Sequence, residues 1–263
     1  MVSHRPRASA RQRRLGQNFL ADPNLLDAIV REAGLEPADV VLEVGGGGGA
    51  LTERLAAEVA RVHVVELDQR LRPELAPLAD EAGNVNLVWG DALREDLTAL
   101  RPPPTKLVAN LPYSIVTPLL LRTIAELPSI GSWLVMVQRE IAERLRASPG
   151  SREYGSPSVL VQLACEVTLV RTVDRAVFTP RPRVDSALVR LTRRGPGVSD
   201  RTRDLVRAAF AHRRKSLPRS LELAHAGTLE RAREALEAIG KPPDTRAEVL
   251  SPAEFEALAE RLG

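Results

Sequence analysis

Apolar and polar positions change period along the chain, and those changes mark out its elements. From Asp22 the pattern is helical. Leu25, Leu26, Ile29 and Val30 form a stripe, with Asp22 as a cap, Pro23 at the first helical position and Gly34 as the stop. Beyond it, short apolar runs alternate with helical stretches. Residues 40–44, 61–66, 86–90, 106–109 and 132–137 read as strands, and helices are expected at about 50–58, 69–82 and 117–126. Apolar strands separated by helices predict a parallel sheet covered on both faces. Two later runs, 159–169 and 184–191, flank a Pro-rich stretch containing Pro180 and Pro182. They are expected as strands on an antiparallel edge of the same sheet. The Arg193-Arg194-Gly195-Pro196-Gly197 stretch reads as a linker. After Asp200 only helical stripes follow, one through Leu205, Val206, Ala209 and Phe210 and another through Phe255, Leu258 and Leu262. The expected organisation is a basic, disordered tail over 1–14, an α/β Rossmann-like domain over 15–194 and a small all-helical domain over 198–263.

Composition narrows the class. A chain of 263 residues with 44% hydrophobic content can bury a core without staples. Its single cysteine, Cys165, lies in an apolar run, so it is expected in the core, and no disulfide framework can form. His63, His212 and His225 lack metal-ligand spacing, and no metal is expected. The sequence contains no apolar run of membrane-spanning length and no secretory signal pattern, so a cytoplasmic, monomeric protein is expected. Net charge is only +3, but the basic residues are clustered. Arg5, Arg7, Arg11, Arg13 and Arg14 form one group. Arg181, Arg183, Arg190, Arg193 and Arg194 form a second, and Arg207, Arg213, Arg214, Lys215 and Arg219 a third. Such clusters suit a phosphate backbone, with Arg181, Arg183, Arg213, Arg214 and Lys215 as the expected RNA contacts.

The candidate chemistry falls at strand ends. In an open α/β sheet the carboxyl ends of the strands are where ligands bind. The first strand runs into Gly45-Gly46-Gly47-Gly48-Gly49, which permits close backbone approach to a ligand. Gly45 and Gly47 are the expected contacts, but the loop alone fits NAD, FAD, a nucleotide or S-adenosylmethionine. Glu66 ends the next strand, where an acid accepts ribose hydroxyls. Asp91 follows the third strand and can accept from an adenine amine. Two acids disfavour a phosphate-bearing cofactor and favour a cationic one. Asn110-Leu111-Pro112-Tyr113 follows the fourth strand. Asn110 offers a carbonyl acceptor, Pro112 stiffens the turn, Leu111 is held extended so that its carbonyl can face outward, and Tyr113 supplies a stacking face. That set suits a flat base with an exocyclic amine.

With these residues in order, the chain resembles the ribosomal RNA adenine dimethyltransferase family, in the branch that acts on bacterial 16S rRNA. The resemblance runs from Leu15 to the carboxyl terminus. It rests on Gly16-Gln17-Asn18-Phe19-Leu20, the glycine loop with Ala50-Leu51-Thr52, Glu66-Leu67-Asp68, Gly90-Asp91-Ala92 and Asn110-Leu111-Pro112-Tyr113. Further matches are Met136-Val137-Gln138-Arg139-Glu140, Tyr154-Gly155, the stretch from Phe178 to Ser186 and the stretch from Phe210 to Leu217. It implies S-adenosylmethionine contacts at Asn18, Leu20, Gly45, Glu66, Asp91 and Asn110. It also implies that Phe178 borders the target base, and that two adjacent adenosines near the 3′ end of the rRNA, within the 30S subunit or its precursor, are each methylated twice. Asn110, Leu111, Tyr113 and Phe178 are the expected catalytic group. The chain departs from the family pattern at Gly46, Gly48, Ser114 and Pro157; the two extra glycines are expected to soften the loop and weaken the cofactor. Competing readings are a resistance-type 23S rRNA methyltransferase, an NAD-dependent oxidoreductase and a non-catalytic ribosome-assembly factor.

Overall fold

The structure, a computed structural model, describes residues 19–20, 22–179 and 184–263. The basic tail and the first basic cluster therefore lie outside the described residues, as do Asn18, Arg181 and Arg183. The chain divides into two compact units.

The first unit holds residues up to Ala142 together with Thr168–Arg193. Its sheet comprises β2 (Val40–Val44), β3 (Arg61–Glu66), β4 (Val85–Trp89), β5 (Lys106–Asn110), β6 (Ser132–Gln138), β7 (Cys165–Val173) and β9 (Ser186–Arg193), in the order β4-β3-β2-β5-β6-β9-β7. From β4 to β6 every pairing is parallel, and β9 joins β6 antiparallel. The expected antiparallel edge is therefore present. Strands β2, β3 and β6 are buried almost end to end, which is why they read as continuous apolar runs. Helices α1 (Pro23–Ala33), α2 (Ala50–Glu58), α3 (Arg72–Ala82) and α4 (Val116–Glu126) accompany the parallel strands, followed by the short α5 (Arg139–Leu145). Asp22 caps α1 by accepting from the Leu25 N–H, and Gly34 ends it in the left-handed region. One continuous core links α1 and α2 to the sheet through residues such as Leu26, Ile29, Leu55, Val62 and Val64. A two-residue strand β1 (Phe19–Leu20) pairs antiparallel with β8 (Phe178–Thr179) and sets Leu20 opposite Phe178.

Two sequence expectations are corrected. Residues 159–164 are not strand: α6 (Ser156–Ala164) occupies them, and β7 starts only at Cys165. Pro157 sits in the first turn of α6, where its missing N–H costs nothing. A short, wholly apolar run carries no period to separate buried helix from buried strand. The later strand runs Ser186–Arg193 rather than from Val184. By compactness, Glu143–Val167, including the first three residues of β7, groups with Arg194–Gly263 in the second unit.

That second unit adds α7 (Asp200–Ala211), α8 (Leu217–Ala224), α9 (Leu229–Ala238) and α10 (Pro252–Leu262) to α6. Tyr154 lies at its centre, fully buried, edge-on to Phe210 at 6.1 Å and donating through its hydroxyl to Leu250 O at 2.7 Å. Phe210 in turn meets Phe255 at 5.8 Å. Cys165 is buried, as expected. Among the described residues no helix is long and apolar enough to cross a membrane.

Candidate active site

The carboxyl ends of β2, β3 and β5 open onto one cleft of about 330 Å³. It is lined by Leu20, the glycine loop, Glu66 and the Asn110–Tyr113 turn, so residues chosen far apart in sequence meet there. Among the described residues lining it there is no lysine or arginine, whereas Glu43, Glu66 and Glu74 all contribute. A donor set of this kind fits a cation with hydroxyl groups and does not fit a phosphate.

Glu66 is the best-prepared of these groups. Its Oε2 accepts the Gly47 N–H at 3.0 Å and its Oε1 accepts the Asp68 N–H at 2.8 Å. Burial raises its pKa above the ordinary value, and the backbone N–H groups of Asp68 and Gly47 work against that. The carboxylate retains acceptor capacity for a ligand hydroxyl. The Gly47 N–H reaches Glu66 because Gly47 takes φ 57°, a left-handed conformation that L side chains avoid. Gly46 differs: a Cβ there would come within 2.6 Å of Val64 Cγ1, while one at Gly48 would meet Glu74 Oε2 at an ordinary 3.7 Å. The two departures from the family pattern are thus unlike. Val64 occupies the space above Gly46, and the position above Gly48 is open.

Glu43, in β2 two residues before the glycine loop, has no role that the sequence pattern assigns. It is 1% exposed, accepts from Thr52 Oγ1 at 2.7 Å and lines the cleft. Burial, with Glu66 nearby, pushes its pKa up to about 8.

At the other side of the cleft, Leu111 is buried and donates its N–H to Met136 O at 3.3 Å. Asn110, Leu111, Pro112 and Tyr113 all line the space. Tyr113 is half-buried, and its hydroxyl lies 3.0 Å from Ser186 Oγ at the start of β9. Burial raises the Tyr113 pKa, and the Ser186 contact opposes that. Ser186 was not singled out beforehand, since nothing in its local pattern points to a partner so distant in sequence.

Two expected site residues fall outside the cleft lining. Asp91 sits two positions beyond Trp89, the β4 partner of Glu66, and Gly90 donates its N–H to Glu66 O at 2.9 Å. Asp91 therefore flanks the cleft at the next strand end. Phe178 is 2% exposed and packs in the core that also contains Leu20, Val173 and Leu188. It lies opposite Leu20 in the β1–β8 pair, and its expected place beside the base remains a proposal.

The basic clusters also separate. In the second cluster, Arg190 reaches Glu32, Arg194 pairs with Glu166 at 2.9 Å, and Arg193 donates to Ile124 O, Leu127 O and Ile130 O near the carboxyl end of α4. Arg193 also lies over the Trp133 ring. In the third cluster Arg213 is tied to Glu248 at 3.0 Å and to Arg152 O at 2.7 Å. Arg207, Arg214, Lys215 and Arg219 are exposed in the second unit.

The fold and the cleft are those of a Rossmann-like S-adenosylmethionine-dependent methyltransferase with carboxyl-terminal helices. A family model described as ribosomal RNA adenine dimethylase matches residues 8–262, and the chain belongs to that family. A protein of Rubrobacter xylanophilus called ribosomal RNA small subunit methyltransferase A is 48% identical, covering 95% of each chain. One of the same name from Pelotomaculum thermopropionicum is 45% identical over 94% of this chain and 89% of its own. Among solved structures, a dimethyladenosine transferase from Plasmodium falciparum aligns with TM-score 0.78 and 28% identity, covering 91% of this chain and 95% of that one. The 23S rRNA methyltransferase ErmE aligns with TM-score 0.67 and 30% identity, covering 93% and 99%.

Proposed function

We propose that this protein transfers methyl groups from S-adenosylmethionine to the exocyclic amines of two adjacent adenosines near the 3′ end of 16S rRNA, acting as a cytoplasmic monomer on the 30S subunit or its precursor. The observation that carries this reading is the joining, in one acid-lined cleft, of the Gly47–Glu66 contact with the Asn110–Tyr113 turn. The small-subunit relatives, at 45–48% identity, favour 16S over 23S rRNA. The ErmE likeness makes 23S rRNA the second reading.

In this reading Glu66 accepts the ribose hydroxyls of the cofactor, and Asp91 accepts from its adenine amine. Gly45 and Gly47 let the backbone approach its methionine end, beside which Glu74 contributes negative charge. When bound, S-adenosylmethionine supplies an activated methyl group on a sulfonium. Asn110 and the Leu111 carbonyl accept the hydrogens of the target amine, which turns its lone pair towards the methyl. The amine nitrogen would take that methyl group as its bond to sulfur breaks, and would release its proton to water. Alignment, and not a strong base, is what these residues provide. Tyr113 stacks on the base once it has left its helix. Arg207, Arg214, Lys215 and Arg219 hold RNA phosphates, so affinity falls steeply with salt. Arg181 and Arg183 keep their proposed phosphate role. For Arg213, already bonded to Glu248 and Arg152 O, that role would have to be shared with a structural one.

Labelled S-adenosylmethionine, with undermethylated 30S subunits and 23S rRNA in parallel, tests the reading. Dimethyladenosine in the 3′ hairpin of 16S rRNA is expected. Label only in 23S rRNA would move the protein to the other substrate, and no label in either would remove the catalytic reading.

A further inference from the structure

Arg122 lies on α4, the helix that begins just after the Asn110–Tyr113 turn, and its side chain is 18% exposed. All three guanidinium nitrogens are engaged. Nη1 donates to Ala92 O at 2.7 Å, Nη2 to Glu95 O at 2.7 Å and Nε to Glu126 Oε2 at 2.8 Å. The first two acceptors belong to the turn that follows β4 and starts with Asp91. Inside that turn, Asp91 O accepts from the N–H groups of Arg94 and Glu95, and Asp91 Oδ1 accepts from Leu93 N–H at 2.9 Å. Gly90 has no side chain, and the Glu95 carboxylate fills the space a Cβ there would need. The turn is thus compact, and a planar fork from another helix closes it. A lysine cannot reproduce that, because two carbonyls and a carboxylate are met at once by a rigid planar group.

We propose that Arg122 is a positioning residue for the adenosine end of the cofactor site: it fixes the Asp91 turn to the helix that carries the base-recognition turn. Cofactor capture and placement of Asn110–Tyr113 then share one support. The proposal rests on the reading of Asp91 as an adenine contact. Arg122 itself touches neither the cofactor nor the base.

The test is calorimetric binding of S-adenosylhomocysteine to the full chain, with melting temperatures measured alongside. Arg122→Met should weaken binding about tenfold, the scale of one to two lost hydrogen bonds. Arg122→Lys should fall between Met and wild type, and Glu126→Gln, which leaves both carbonyl contacts in place, should bind normally. Adding Arg122→Met to Asp91→Ala should weaken binding no further than Asp91→Ala alone, because Arg122 acts through that turn. A lower melting temperature with unchanged affinity in Arg122→Met would overturn the proposal, as would independent, multiplying effects in the double variant. If Arg122→Met does not fold, wild-type affinity in folded Arg122→Lys overturns it instead. Weakened binding in Asp91→Ala with none in the Arg122 variants would sink this proposal and spare the adenine reading. Unchanged affinity in Asp91→Ala would remove both.

Discussion

On the cofactor side of the cleft, Glu66 is held by two backbone N–H groups, and Asp91 accepts from the backbone of its own turn. On the base side, the Tyr113 ring is oriented by a contact between two side chains, its own hydroxyl and that of Ser186. The first kind of support depends on chain path and survives most side-chain changes. The second is removed by deleting one oxygen. In the proposed reading, the cofactor side is held mainly by backbone N–H groups with Arg122 behind the Asp91 turn, and the base side adds a side-chain pair to the Leu111–Met136 backbone bond. Substitutions should accordingly act on affinity at the first and on rate or substrate capture at the second.

The largest effect should come from Asn110→Ala. Loss of one acceptor aimed at the reacting amine should lower the single-turnover methyl-transfer rate by about 10²-fold, the scale of a lost preorganised hydrogen-bonding group. S-adenosylhomocysteine affinity should change little. If affinity fell as much as rate, the division between the two sides would collapse.

Next is pH. The Glu43 carboxyl has its pKa raised by burial from 4.5 to about 8. A raised acid favours the protonated form in the folded state, so its stabilising contribution is full below the unfolded value and is lost as pH rises through about 8. The cofactor-free protein should lose melting temperature across that window, and Glu43→Gln should flatten the loss. Parallel curves for the two proteins would show that Glu43 does not govern it.

Smaller effects follow at Tyr113. Tyr113→Ala should raise the rRNA KM by the loss of ~1–3 kcal/mol of stacking. Tyr113→Phe and Ser186→Ala each remove the same hydrogen bond, and their effects should be alike and not additive. A Phe variant as damaged as the Ala variant would mean that the hydroxyl, and not the ring face, matters.

The smallest contrast lies within the glycine loop. Gly48→Ala should stabilise by ~0.4–1 kcal/mol, because its φ is not left-handed and its Cβ has room. Gly46→Ala should destabilise by about 1–3 kcal/mol, because its Cβ meets Val64, and the Gly46→Ala/Val64→Ala pair should cost less than the two single changes summed. Urea melts of these variants read this directly.

The pattern of the sequence carried the parallel strands and the acids at their ends, because strand burial, chain reversal and ligand site all fall at the same boundaries. Glu66 and Asn110 were legible for that reason. Glu43 was not, although it lies just before the glycine loop, because its partner Thr52 is nine residues on and no period marks the pair. Arg122 and Ser186 were invisible for a related cause: their partners lie 27 to 73 positions away, and only the folded chain brings them together. Phe178 had an expected role at the base from the resemblance alone, and its burial in the core is a feature that no local pattern announces. Residues 159–164 misled because a buried helix beginning at a proline looks like a buried strand.

The chain enters the helical unit twice, first over Glu143–Val167 and finally from Arg194 onward. Tyr154 comes from the first passage, while Phe210, Phe255 and Leu250 come from the second. The unit is therefore not a cassette. A fragment starting at Arg194 would leave Phe210 without Tyr154, keeping only Phe255 beside it, and the Leu250 carbonyl without its donor. Grafting the tail of a relative onto this sheet would split one core between two lineages. Exchange between relatives has to carry residues 143–167 along with the tail, so recombination that respects this core needs three breakpoints rather than one.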